Sequence, residues 1–431
     1  MGALLLGIDV GTTFCKAVVL DGGGRVVAQQ REPTPWIAVP TGAEVEPEAL
    51  AGAALRAAAG ALSAAPPGHV AGVGVAGMAE TGVLLDAGGR PMTRAIAWHD
   101  RRGAEEAHAA ATALGGEAFS GRTGLRAAPL CSLAKLAWQR RHLPATQAAH
   151  RWLGVPEWVA RRLGGDEIAE LSLASRTGWL DLHSRGWWDE TVEWSGAPPG
   201  LLPEPAFAGT PLGRAGDALP QARGAVLAVG GHDHLSAAVG AGAVGEGDVL
   251  DSWGTAEAFV RAVAPLEREA VEQAVDDDIM VGWHAVPERQ NLLGAMRSGA
   301  ALGRVLALLG VGPEGRDALE RAALEVEPEG IELIGLNDYR VGLVNIGADP
   351  SPAVVWRAAL ESAGKGARDL LDKMARVAGP HTRLVMAGGW SEGVAARAIK
   401  EAHCGPFERS EAVFMGARGA ALTAARAAGL R

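Results

Sequence analysis

The chain carries one local device twice. An apolar run at 3–9 enters a Gly/Thr turn at 10–13 and leaves along a second apolar run at 16–21. Downstream, the segment 247–255 (GDVLDSWGT) reads as a strand entering a Gly-Thr turn, and 256–263 continues it. Strands joined by such short turns form an antiparallel meander. Its recurrence at matching points of two halves implies an internal duplication of one α/β unit.

The remaining pattern fills in that frame. Residues 48–62 read as an Ala/Leu-rich helix, 69–76 as a buried strand and 82–86 as a further strand. Helical stretches run through 101–163, as at 102–114 and 132–141. Around 198–220 the chain becomes rich in Pro and Gly, which places a domain boundary there. Residues 1–222 and 223–431 are therefore expected to form two domains. In the second, 225–229 reads as a buried strand, and helices dominate from 299 onward. A strand at 384–387 runs into Gly388-Gly389, and 394–402 and 416–428 are helical.

Composition removes several function classes. Forty basic against fifty acidic residues give a net charge of −10, against the basic surface that broad nucleic-acid binding requires. The three cysteines, Cys15, Cys131 and Cys404, are widely spaced and form no disulfide framework or CxxC pair. They fit a reducing compartment. The N-terminus has no basic n-region or cleavage site, and no uncharged apolar stretch reaches about 18 residues. A soluble cytoplasmic protein without membrane partners is expected.

The phosphate-binding options narrow quickly. No GxxxxGK[ST] is present. Residues 72–77 (GVGVAG) match GxGxxG, but they lie within an apolar strand and no helix follows, so the context fails. The turns at Gly11-Thr12-Thr13 and Gly254-Thr255 fit better. Glycine lets the backbone approach closely, and successive N–H groups with Thr hydroxyls can meet phosphate oxygens. Asp9, at the end of its strand, suits a magnesium hydration shell. Ordinary β-turns are the plainer alternative for either turn alone.

These residues carry a resemblance. The segment 7–13 (GIDVGTT) with Lys16 resembles the first phosphate motif of the FGGY carbohydrate kinases, within the actin, Hsp70 and sugar-kinase superfamily. The segment 225–242 resembles the one that carries their catalytic aspartate, 252–255 their second phosphate motif, 387–389 their adenosine motif and 416–424 their closing helix. The resemblance implies two actin-like (ribonuclease H-like) α/β domains around a cleft, ATP and Mg²⁺ as cofactors, a small sugar or polyol as partner, and a homodimer.

It implies site residues as well. Asp233 would be the general base that accepts a hydroxyl proton; a helix cap is the alternative. Gly11, Thr12, Thr13, Lys16, Gly254, Thr255, Gly299, Gly388 and Gly389 would hold the nucleotide, and Asp9 the metal. Glu80, Trp98, Asp100 and His234 would contact substrate. Core packing remains open for Trp98, and a salt bridge with Arg101 for Asp100. For the pair His232/His234, metal ligation and plain packing remain open. Glu157 falls where it could support the sugar site.

The segment 77–81 (GMAET) is nearest the glycerol-kinase version of the substrate turn, but Ala79 stands where that version has Arg. After Gly389 the sequence is Trp390-Ser391-Glu392-Gly393, where the family pattern is more polar. The function expected is phosphoryl transfer from ATP to a hydroxyl of a ketose, sugar acid or polyol. A glycerol- or tetritol-type kinase and a non-catalytic nucleotide-binding sensor are the alternatives.

Overall fold

The computed structural model describes residues 2–338 and 340–430. The first half opens with the meander β1 (Ala3–Val10), β2 (Phe14–Leu20) and β3 (Val26–Pro33). β1 is buried on both faces along nearly its whole length, as an unbroken apolar run requires of a central strand. Helix α1 (Pro47–Ala64) follows; it buries a small-residue face against β2 and β3, with Pro47 in the first turn, where no N–H is needed. β4 (His69–Gly77) returns parallel to β1. Helix α2 (Val155–Arg162) packs against β4. β5 (Val226–His232) then adds parallel to β4 and runs straight into α3 (Asp233–Ala241). The sheet order is β3-β2-β1-β4-β5.

The second half repeats this plan. Its strands are β6 (Asp248–Trp253), β7 (Glu257–Val263), β8 (Met280–Trp283) and β9 (Gln290–Met296). Helices α4 (Ser298–Leu308) and α5 (Pro352–Ala378) lead to β10 (Arg383–Ala387), which lies parallel to β6. Helix α6 (Val394–Cys404), β11 (Glu408–Arg409) and α7 (Met415–Ala427) complete the chain. The order is β8-β9-β7-β6-β10-β11. With the edge strand β8 set aside, the remaining five strands match the first sheet in order and direction. This is the duplicated, two-sheet α/β unit expected from the sequence.

Two expectations change. The strand after the Pro/Gly-rich stretch closes the first sheet rather than opening the second, so a cut at 222/223 would separate β5 from its partner β4. The interval between β7 and the helix near 299 also holds elements that the sequence did not reveal: a helix at Arg268–Asp276 and the strands β8 and β9. β9 is buried on both faces except at Ala295, so it lacks the period-two alternation that marks a half-exposed strand. Among the described residues, no helix is long and apolar enough to cross a membrane.

The last helix returns to the first sheet. α7 packs against β1, β4, β5 and α3. The approach is possible because glycines line it: a Cβ on Gly74 would lie 1.9 Å from the Ala420 carbonyl oxygen, and one on Gly7 1.8 Å from that of Ala417. The GxGxxG match thus has a packing role, since two of its glycines, Gly72 and Gly74, face α7. Gly74→Val should cost about 1–3 kcal/mol or more through overpacking, read as a lower urea midpoint. Gly303→Ala, on a helix position with nothing within 4 Å of the added carbon, should be neutral or stabilising in the same assay.

Candidate active site

The site begins at the end of β1. Asp9 and Lys16 are direct cross-strand partners in the β1–β2 register, and Lys16 Nζ lies 3.5 Å from Asp9 Oδ2. Asp9 is buried, and its Oδ1 has no hydrogen-bond partner. Burial pushes the carboxyl up to about 6; Lys16 opposes this, and the charge of Asp233 adds to it. Gly416 of α7 abuts the same carboxylate, where a Cβ would sit 2.8 Å from Oδ2.

The neighbouring turn is clamped by its carbonyls. The Gly11 carbonyl accepts from Thr34 Oγ1 at 2.7 Å, that of Thr12 from Trp36 Nε1 at 2.6 Å, and that of Thr13 from the Thr34 N–H at 3.1 Å. Trp98 Nε1 donates to Thr12 Oγ1 at 3.0 Å. Trp98 is 37% exposed, with its N–H engaged by the Gly11–Thr13 turn.

The base candidate emerges from β5. The β4–β5 register shifts between Val229 and Gly231, and Gly231 adopts φ 90°. A side chain there would meet Ser172 Oγ at 2.5 Å. Ser172 Oγ accepts the His232 N–H at 2.9 Å and donates to Glu170 Oε2 at 2.6 Å. Glu157 takes the N–H groups of Glu170 and Gly154 at 2.7 and 2.6 Å. It is buried, and burial pushes it up to about 8 and Glu170 to about 7. Glu157 therefore braces the backbone behind Asp233.

Asp233 is the first residue of α3, with His232 at the N-cap. It is not the cap that the sequence left open. Its Oδ1 accepts the His234 N–H at 2.7 Å and lies 3.2 Å from His232 Nε2. Burial works against ionisation, but His234, His232, the His234 N–H and Lys16 together hold the carboxyl below its ordinary value. His232 is buried and pushed down to about 3 by that burial, so it stays neutral. The rings of His232 and His234 meet edge to face at 5.3 Å. Ligand atoms of His232, Asp233 and His234 all lie within 4.8 Å of one another.

Glu80 faces the same space. It is a buried non-glycine residue at φ 62°, a strained conformation of the kind that collects at functional sites. Its Oε1 accepts from Nε and Nη2 of Arg176, each at 2.7 Å. Burial raises its carboxyl; Arg176 opposes this, and Asp233 adds to it. Asp100 is different. Its carboxylate is fully buried and accepts from Arg102 at 2.8–2.9 Å and from Thr41 Oγ1 at 3.0 Å. It pairs with Arg102 rather than Arg101, and those contacts occupy both oxygens, so the carboxylate ties together the 41–44 and 98–102 segments.

The nucleotide candidates converge in the second half. A Cβ on Gly299 would lie 1.8 Å from the Gly254 carbonyl oxygen, and the Ala300 N–H donates to the Thr255 carbonyl at 2.8 Å. Gly388, at φ 102°, stands where a Cβ would lie 2.2 Å from the Trp253 carbonyl oxygen. Gly389 faces open space. Beside it is a cavity of about 490 Å³, lined by Leu306, Val311, Pro313, Arg316, Glu392 and Gly393. Arg316 lies over the Trp390 ring at 4.4 Å, so the departure at 390–393 forms a stacked wall of that cavity.

Under this turn is a charge cluster that the sequence reading missed. Lys400 of α6 is fully buried; it pairs with Glu257 and lies 3.2 Å from Asp251. Glu257 also accepts from Ser298 Oγ, which in turn accepts from Trp253 Nε1 at 3.0 Å. Burial alone would strip the Lys400 proton, but the two carboxylates hold it charged. One signal was available: the chain has only five lysines, and this one lies in an otherwise amphipathic helix. Arg176 was missed too; it lies in the mixed stretch 171–182 (LSLASRTGWLDL), where no apolar periodicity marks it. Lys400→Met leaves two buried carboxylates without a counter-charge and should cost about 3–5 kcal/mol. The loss in urea unfolding should be larger at pH 8 than at pH 5, where the carboxyls can take up protons.

Comparisons with known proteins follow this geometry. Residues 4–240 match the model of the N-terminal domain of the FGGY family of carbohydrate kinases. A xylulose kinase of Streptomyces rubiginosus is 32% identical over 259 residues, covering 59% of this chain and 53% of that relative. The chain thus spans about half the length of this curated relative. A glycerol kinase of Trichlorobacter lovleyi is 29% identical over 419 residues, covering 90% of this chain and 82% of that protein. The solved structure of a xylulose kinase from Rhodospirillum rubrum superposes with a TM-score of 0.89 at 25% identity, over 98% of this chain and 89% of that one.

Proposed function

The chain belongs to the FGGY family of carbohydrate kinases, and from that premise we propose that it transfers the γ-phosphoryl group of ATP to a hydroxyl of a small sugar, sugar acid or polyol, with Asp233 as general base. One observation carries the reading. β5 ends at His232 opposite Gly77 of β4, and Gly77 lies opposite Val10 of β1, so Asp233, Asp9 and the turn that carries Glu80 all leave the sheet at one edge. A base needs that position, within reach of the hydroxyl and of the γ-phosphoryl group.

Each residue then has a task. Glu80 accepts a substrate hydroxyl, and the exposed face of Trp98 packs against the carbon skeleton. Asp233, ionised because its carboxyl is held low, takes the hydroxyl proton as the new O–P bond forms. The clamped turn at Gly11–Thr13 and the turn at Gly254-Thr255 offer N–H groups and hydroxyls to phosphate, and Lys16 adds a positive charge. The nucleoside fits the cavity beside Gly388-Gly389.

The unpartnered Oδ1 of Asp9, buried beside a lysine, fits a hydrated Mg²⁺. When bound, the ion would neutralise phosphate charge. We take the two units as the parts built on the first and second sheets, with β5 and α7 in the first. Closure between them would exclude water, which competes as a nucleophile.

The test is ADP release with Mg-ATP across ketoses, sugar acids, polyols and aldoses. One or more compounds should stimulate it. Asp233→Asn should retain nucleotide binding and lose turnover by about 10²–10⁴-fold; turnover within a few fold of the parent would remove Asp233 from the base role. Asp9 gives a pH signature. Its carboxyl, raised to about 6, is ionised above that pH and protonated below it. Mg²⁺ binding without nucleotide should therefore weaken as pH drops through about 6, and Asp9→Asn should lose that binding together with most of the stimulated activity.

A further inference from the structure

Two turns that leave the first sheet are bonded to one residue. The Trp98 main-chain N–H donates to Thr81 Oγ1 at 2.9 Å, beside Glu80. Its side-chain Nε1 donates to Thr12 Oγ1 at 3.0 Å, in the Gly11–Thr13 turn. Trp98 is thus tied to the acceptor turn through its backbone and to the phosphate turn through its ring.

The backbone around it is fixed from behind. The helix Ser132–His142 holds both neighbouring segments: Ser132 Oγ donates to the Glu80 carbonyl at 3.0 Å, and Lys135 Nζ to the Asp100 carbonyl at 2.9 Å. The Asp100 carboxylate is tied to Arg102 and Thr41. Segments 80–81 and 98–100 therefore keep their spacing, and the exposed indole is the part left to respond to a ligand. Its ring meets His99 edge to face at 5.2 Å. His99 meets Trp36 in the same way at 5.9 Å, and Trp36 Nε1 holds the Thr12 carbonyl. Thr12 is bracketed by two indole N–H groups.

The Thr12 hydroxyl is where the ring acts. A hydroxyl has one proton to donate and two lone pairs to accept with. Accepting the Trp98 N–H leaves the Thr12 proton for a phosphate oxygen, and a hydroxyl that accepts one hydrogen bond donates a stronger one. An acceptor packed on the exposed ring fixes the indole, and with it the direction of that proton. Ordering done by the first ligand is not repeated by the second, so the two bind cooperatively.

We infer that Trp98 is a positioning residue that couples the two substrates: through its bond to Thr12, an acceptor at Glu80 and Trp98 raises the affinity for the nucleotide, and the nucleotide raises the affinity for the acceptor by the same factor. The inference rests on the reading that Glu80 and Trp98 face the acceptor and the Gly11–Thr13 turn faces phosphate. It deepens the proposed function by naming the residue through which one half of the site reports on the other.

The experiment uses the full chain, with Mg-ADP as the nucleotide because it has no γ-phosphoryl group to transfer. D-xylulose, glycerol and gluconate serve as acceptor probes. Calorimetric titration gives the affinity for ADP with and without each probe, and the ratio is the coupling factor. At least one probe should tighten ADP by about fivefold or more, and ADP should tighten that probe equally. Trp98→Phe keeps the main-chain bond to Thr81 and loses the bond to Thr12, so its coupling factor should fall to within about twofold of one. Thr12→Val should do the same, and Thr12→Ser should keep the parental factor. The double variant Trp98→Phe/Thr12→Val should lose no more coupling than either single variant. A residue that only supports the fold would weaken each ligand by itself and leave the factor unchanged.

An ADP affinity unmoved by all three probes overturns the inference. So does a parental coupling factor in both Trp98→Phe and Thr12→Val. Failure of the kinase reading looks different: the coupling would hold while no acceptor stimulated ADP release from Mg-ATP. Stimulated release without coupling in binding would keep that reading and remove the inference.

Discussion

The contact on which the rest of this molecule depends is the seating of α7 against the first sheet. The helix comes from the end of the chain, yet its backbone lies against β1, β4 and α3 at distances that leave no room for a Cβ at Gly7, Gly74 or Gly419. Ser236 Oγ of α3 donates to the Gly416 carbonyl at 2.8 Å, and Gly416 abuts Asp9. The same helix therefore sets the height of Asp9 on one side and of the Asp233 helix on the other. Close packing of this kind transmits small volume changes, because interiors have little free space to absorb them.

The site is assembled from strand ends that later segments brace. Glu157, Glu170 and Ser172 form a buried relay of hydrogen bonds behind His232, and that relay aims Asp233. Trp36, Trp98 and Thr34 brace the Gly11–Thr13 turn, and Lys400, Glu257 and Ser298 brace the segment around the Gly254-Thr255 turn. In each case a polar group that would be costly to bury alone is satisfied by partners far away in sequence. The two halves also touch directly. The Val281 N–H donates to the Gly124 carbonyl at 3.0 Å, and the Trp283 N–H to Ser175 Oγ at 2.9 Å.

Sequence reasoning reached far where local chemistry decides. The Gly-Thr turns, the strand ending at Asp9, the position of Asp233 and the glycines at 388–389 are short-range signals; in the structure Gly299 abuts Gly254, and Gly388 abuts Trp253. It failed where burial on both faces erased periodicity, as in β9, and at β5, whose register partners in β4 lie 154 or 155 residues away in the chain. It also misassigned partners. Asp100 chose Arg102, and Glu157 serves the backbone of Gly154 and Glu170.

What the sequence by itself determined is the repeat: two meanders with matching turns, because strand period and turn chemistry act over a few residues. What only the tertiary structure decided is which charges meet. Arg176 reaches Glu80, Lys400 reaches Glu257 and Asp251, and the charge of Asp233 reaches both Asp9 and Glu80. Electrostatic pairing depends on distance in space and on the loss of water around the pair, and neither is encoded in spacing along the chain.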